Sequence, residues 1–184
     1  PGFGILLLAH GGGGKTTTVL SLVRKGARLL ADDLVAMDVS SKDTTVALGI
    51  PEPLNVSKAT ADFFPELQAA PNLLEGRSGE KKAISPLTLY GSQCLVPRTV
   101  LRVIYSLTLT KTGPSVRRLS AGEGLNSLIQ AHTFAGNQKT GKFAFSGICS
   151  ILKNIPIYEL QTGPSPEALG EWILNRAEGH ARGA

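Results

Sequence analysis

Ala9-His10-Gly11-Gly12-Gly13-Gly14-Lys15-Thr16 is the stretch on which the fold turns. It matches the phosphate-binding pattern G-x-x-x-x-G-K-[ST] with one departure, Ala9 at the first glycine. The residue types follow from what a triphosphate needs. Glycines let successive backbone N–H groups converge on phosphate oxygens without a Cβ in the way. The helix that starts at Lys15 points its positive dipole end at the same place. Lys15 brings a point charge to the outer phosphates, and the Thr16 hydroxyl is a ligand for Mg²⁺. The methyl of Ala9 matters only if that residue needs a positive φ. The expected nucleotide contacts are therefore His10, Gly11, Gly12, Gly13, Gly14, Lys15, Thr16 and Thr17.

The flanks agree with this reading. Upstream, Gly4–Leu8 is a short apolar run that ends in glycines, the pattern of a buried strand. Downstream, Lys15–Lys25 places Val19, Leu22 and Val23 at helical spacing, with basic residues in its last turn and Gly26 as the stop. Arg28–Ala31 then reads as a second strand, which would complete a βαβ unit. It ends in Asp32-Asp33. In a parallel unit, strand ends share the rim with the phosphate turn, so these acids would sit beside the triphosphate. An acid there can hold Mg²⁺ or accept the proton of an attacking hydroxyl.

Further along, Leu34–Val39 and Thr44–Leu48 suggest a hairpin, and Ser57–Phe64 a short helix. The stretch 71–86, with Glu75, Arg77, Glu80, Lys81 and Lys82, reads as a polar loop. Val100–Thr108 is a strand, with Ser115–Leu119 expected to pair with it. Ser120 and Glu123 form a capping box before a helix striped by Leu125, Leu128 and Ile129. Lys139–Leu152 is read as a helix, Ile155–Leu160 as a strand, and Ser165-Pro166-Glu167 as the start of a last helix. His132 is read as a packing or capping residue, and His180 as part of a frayed tail.

The chain has 184 residues, 42% hydrophobic and 18% charged, which fits one globular domain, taken as residues 1–184 of a longer chain. Its net charge of +5 comes from scattered Lys and Arg with few aromatics. A phosphate ligand accounts for that charge, and nucleic acid is not expected as a partner. No apolar run approaches the ~20 residues of a membrane span. Cys94 and Cys149 stand apart, so neither a zinc site nor a disulfide framework is expected, and the cytoplasm is the expected setting.

Three matching segments resemble the catalytic domain of HPr kinase/phosphorylase and the HPr-kinase-related kinases, a fold also related to ATP-dependent phosphoenolpyruvate carboxykinase. They are Gly2–Leu8, then Gly13-Gly14-Lys15-Thr16, then Lys25-Gly26-Ala27-Arg28-Leu29-Leu30-Ala31-Asp32-Asp33. The resemblance implies an α/β P-loop domain with a mixed sheet and flanking helices. It implies transfer of the γ-phosphoryl of ATP, with Mg²⁺, to a serine-type hydroxyl of a peptide, a protein or a small molecule. Lys15 and Thr16 would take the phosphate and metal roles, Asp32 would be the general base, and Asp33 would support the metal. Lys81 and Lys82 would lie in a loop able to close over the phosphates. Homo-oligomers occur among the related enzymes, so one is possible here. Two features of the bifunctional enzyme are missing: its histidine before the glycine matching Gly2 is Pro1 here, and no Ile-Arg-Gly-Leu-Gly-type signature follows. The kinase direction, without phosphorolysis, is therefore expected.

Two other functions compete. Gly12–Thr18 is similar to the turn of partition-type NTPases, but the second lysine of that turn is absent. A regulatory nucleotide-binding module without turnover would have no use for two acids beside the triphosphate. Sheet topology separates the first of these from a kinase.

Overall fold

The computed structural model describes residues 2–50, 52–73, 81–131 and 138–182. Pro1, His132, Glu75, Arg77 and Glu80 lie outside the described residues.

The centre of the molecule is the strand Arg98–Thr108 (β6). From Val103 onward its apolar residues alternate between two cores, as a strand buried on both faces requires, and the register shift against Gly4 and Ile5 sets Leu101 on the side of Ile104. Val103, Tyr105 and Leu107 join Leu22, Leu160, Leu169 and Ile173 on one side. Leu101 and Ile104 join Leu8, Leu128, Ile148, Ile151 and Ile157 on the other. Such a strand can take a neighbour along each edge. Gly4–Leu8 (β1) runs parallel to it, with Leu8 opposite Ser106. Ile157–Gln161 (β8) runs parallel to it as well, with Thr108 opposite Gln161. The hairpin of Val35–Asp38 (β2) and Val46–Gly49 (β3) joins the start of β6 antiparallel, and Ser115–Arg118 (β7) pairs antiparallel with β8. The result is a six-stranded mixed sheet. A smaller sheet pairs Leu54–Ser57 (β4) with Lys81–Ile84 (β5).

Lys15–Arg24 (α1) and Pro166–Arg182 (α7) lie together on one face of the large sheet. Ala121–Ala131 (α5) and Gln138–Asn154 (α6) supply the core of the other. The short helices Lys58–Phe63 (α2), Pro65–Ala69 (α3) and Pro86–Tyr90 (α4) surround the small sheet, with Phe64 and Leu67 fully buried against Leu20, Leu54 and Val56. Ser57 caps α2 by accepting from the Thr60 N–H. The Ser120–Glu123 box forms: the Ser120 N–H donates to Glu123 at 2.8 Å, and the Glu123 N–H to the Ser120 hydroxyl at 3.4 Å. No helix among the described residues is long and apolar enough to cross a membrane.

Four expectations are corrected. Arg28–Ala31 is not a strand of a βαβ unit: only Leu29 makes a bridge, to Leu95, and the parallel partner of β1 is β6. The second correction is that Ser115–Arg118 pairs with β8, because both edges of the upper half of β6 are taken by β1 and β8. Third, Lys81 and Lys82 stand in strand β5 rather than in a loop. Finally, His180 is not in a frayed tail. It stacks on Tyr158 at 4.1 Å between ring centroids and hydrogen-bonds the buried Tyr105 hydroxyl through Nδ1 at 2.8 Å.

Two stability predictions follow from these contacts. Burial against the rings, with a smaller contribution from Arg176, holds the His180 pKa below its ordinary value of 6.5. The folded state therefore favours the neutral imidazole. Its contribution is complete above the unfolded pKa and falls as pH drops through that value toward the folded one. Urea denaturation across this window should show stability declining with acidification, with a shallower decline in His180→Gln. Gly170, on α7, packs directly on α1: a Cβ there would stand 2.2 Å from the Ser21 carbonyl oxygen. Gly170→Ala must push the two helices apart and should cost about 1–3 kcal/mol of folding free energy in the same assay.

Candidate phosphate-binding site

The turn from β1 to α1 has the backbone that its glycines permit. Gly12 and Gly14 adopt φ of 78° and 82°, in the left-handed region. The Gly13 N–H donates to the His10 carbonyl at 2.8 Å and closes the turn, and a Cβ on Gly13 would stand 2.9 Å from that oxygen. No residue other than glycine has positive φ among the described residues, so the Ala9 methyl is carried without strain. Gly14 caps α1 with no side-chain hydrogen bond, so none of the first amides of the helix is engaged by the cap residue. His10 is exposed at the mouth of the turn. Thr17 turns its hydroxyl to Thr60 of α2, with which it shares a hydrogen bond of 2.9 Å.

The structure brings the turn and the acidic pair together. The Lys15 ammonium donates to the Asp32 carbonyl oxygen and lies 3.4 Å from Asp32 Oδ1 and 2.5 Å from Asp33 Oδ1. The Thr16 hydroxyl meets Asp32 Oδ1 at 3.3 Å. The two acids differ in surroundings: the Asp32 side chain is 1% exposed and that of Asp33 53%. Asp32 also accepts from the Asn55 N–H at 3.3 Å. Asp33 accepts from Asn55 Nδ2 at 3.4 Å, and its own N–H, like that of Leu34, donates to Glu52 at 3.0 Å. The Lys15 hydrogen bond is the main cause that holds the Asp33 carboxyl below the usual carboxylate range, with further help from Asn55 and Lys81.

Glu52, Asn55 and Lys81 carry no motif in the sequence. The two lysines of the 71–86 stretch part company, because neighbouring residues of a strand point to opposite faces. Lys81 pairs with Ser57 in register and contributes to the charge around Asp33. Lys82 donates to the carbonyls of Leu67 and Gln68 at 3.2 Å, away from the acids.

Beside the acids opens a cleft of about 440 Å³, lined largely by apolar side chains, among them Leu29, Leu30, Ala31, Leu87 and Leu95, with Glu52 as the charged residue of its wall. Among the described residues no group of three or more His, Cys, Asp or Glu could hold a metal by itself. The Thr16 hydroxyl and the Asp32 carboxylate are hard oxygen donors of the kind Mg²⁺ takes alongside phosphate and water, so the residues fit that ion.

A parallel strand that feeds a glycine turn, a helix begun by Lys-Thr and an acid in contact with both define an α/β domain of the P-loop type. No family model matches the chain. The chain is related in sequence to the HPr kinase/phosphorylases. It is 31% identical over 122 residues to that of Bacillus pumilus, covering 66% of this chain and 33% of the relative. For that of Bacillus subtilis the figures are 30% over 128 residues, 70% and 35%. For that of Shouchella clausii they are 47% over 53 residues, 29% and 16%. The chain thus spans about a third, or less, of the length of these relatives. The structure of the HPr(Ser) kinase/phosphatase from Coxiella burnetii superposes with a TM-score of 0.50 at 14% identity, over 98% of this chain and 89% of that one, and shares the fold.

Proposed function

We propose that this domain is an ATP-dependent phosphotransferase that moves the γ-phosphoryl group to a serine-type hydroxyl. The observation that carries the reading is the convergence of Lys15 and Thr16 with Asp32 and Asp33 in one cluster at the glycine turn. The similarity to kinases adds to it.

The glycine turn and the amides of α1 would hold the phosphates, and Lys15 would exchange part of its contact with Asp33 for the outer phosphate oxygens. Thr16 and Asp32 would hold the Mg²⁺, which supplies neutralisation of phosphate charge. Geometry supports dividing the acids in the reverse of the order the resemblance implies. Asp32 is buried against Thr16, whereas Asp33 is the one an incoming acceptor can reach. As the acceptor oxygen bonds to the γ-phosphorus and the bond from that phosphorus to the ADP oxygen breaks, Asp33 takes the hydroxyl proton. The cleft beside the pair suits an acceptor that presents an apolar group next to its hydroxyl, in a peptide, a protein or a small molecule. The cytoplasm, where ATP is available, is the setting this activity needs.

The test is incubation with γ-labelled ATP, Mg²⁺ and serine-containing peptides that carry either apolar or acidic flanking residues. Label should pass to the apolar-flanked set. ATP that binds without labelling any acceptor, in peptides or in a cell lysate, would reduce the protein to a nucleotide-binding module.

A further inference from the structure

We infer that the loop after β6 forms the nucleoside subsite of this domain, with Leu109 as the apolar surface on which the base and ribose of the bound nucleotide rest. The inference builds on the phosphate-turn reading and extends it to the part of the ligand that the turn does not touch. β1 and β6 are parallel neighbours, so the phosphate turn and the loop that leaves β6 at Leu109 emerge on the same rim of the sheet. Ligands of open α/β sheets lie on this rim. The loop does more than share the edge. The Leu109 side chain lies over Gly14, the last glycine of the turn: a Cβ on Gly14 would stand 2.8 Å from Leu109 Cδ2. A triphosphate on the turn therefore lies within a side chain's reach of Leu109.

Leu109 is nevertheless 58% exposed, the most exposed of the large apolar residues described. An exposed leucine in contact with a glycine turn gains nothing from water, and the planar face of a nucleobase would cover it. The segment that carries it is held on both sides. The Thr162 N–H donates to the Thr108 carbonyl at 3.0 Å. The Thr110 hydroxyl donates to the Thr112 carbonyl at 3.2 Å, and Gly163 packs so closely on Thr112 that a Cβ would stand 2.9 Å from that carbonyl oxygen. Leu109 is thus presented from a braced loop. An apolar platform reads the plane of a base and not the donor and acceptor pattern of its edge, so it supplies affinity more than choice among bases.

The experiment compares two probes, Mg-ATP and Mg-tripolyphosphate, by calorimetry on the wild type, Leu109→Ala and Lys15→Ala. Tripolyphosphate carries the charge of the nucleotide without its nucleoside. Removing a half-covered leucine should raise the Kd for ATP about five- to tenfold and leave tripolyphosphate binding unchanged. Lys15→Ala should weaken both probes. Equal loss of both probes in Leu109→Ala would make Leu109 a support of the turn, and an unchanged Kd for ATP would remove the subsite; either result overturns the inference. If the wild type binds neither probe, the phosphate-turn reading itself fails, and the subsite with it.

Discussion

Lys15→Ala should lose most triphosphate affinity while the fold survives. Lys15 begins α1, its side chain is partly exposed, and its contacts are to Asp32 and Asp33 rather than to the core. Removing one member of a hydrogen-bonded charge pair costs about 2–5 kcal/mol, so the Kd for Mg-ATP should rise by about 30-fold to 1000-fold or more. The buried Asp32 carboxylate would lose its ammonium but keep the Thr16 hydroxyl and the Asn55 N–H. The stability loss should therefore be small beside the binding loss. Calorimetry for ATP, paired with thermal unfolding without ligand, separates the two. Equal affinity in both proteins would mean that the turn does not receive the triphosphate.

The second large effect concerns the acids. A positioned general base contributes about 10²–10⁴-fold. Asp33→Asn should lower the transfer rate by that order and leave nucleotide affinity close to that of the wild type, since Asp33 is exposed and does not touch Thr16. Asp32→Asn should instead weaken Mg²⁺-dependent ATP binding, because it alters the carboxylate beside the Thr16 hydroxyl. The measurement is turnover at saturating ATP together with ATP affinity at several Mg²⁺ concentrations. If turnover collapses in Asp32→Asn with affinity intact, and Asp33→Asn remains active, the roles revert to the assignment that the resemblance implies.

Those two acids show how far reading the chain goes. That Asp32 and Asp33 stand beside the phosphate turn could be inferred from their position after a short apolar run following α1. Which of them faces Thr16 and which faces solvent could not, because adjacent residues with the same chemistry differ only in what packs around them. Asn55 and Glu52, which hold the pair from the side, come from a turn and a strand some twenty residues later, and no local pattern marks them. Lys81 and Lys82 look alike until a strand register sends them to opposite faces. Leu109 is one more leucine at a strand end until the turn folds against it.

What the sequence by itself determined is local: the glycine turn, the extent of α1, the Ser120–Glu123 box, the β2–β3 hairpin and the long apolar strand. Backbone φ, helix periodicity, capping and strand alternation act over a few residues, so each can be read within a short window. Only the tertiary structure decided that β6 and not Arg28–Ala31 pairs with β1, that β7 pairs with β8, and that His180 is packed against Tyr105 and Tyr158. Those outcomes depend on which buried strand has both edges available and which side chain fills a space between distant elements. Such competition is resolved by long-range packing, and a window of neighbouring residues does not contain it.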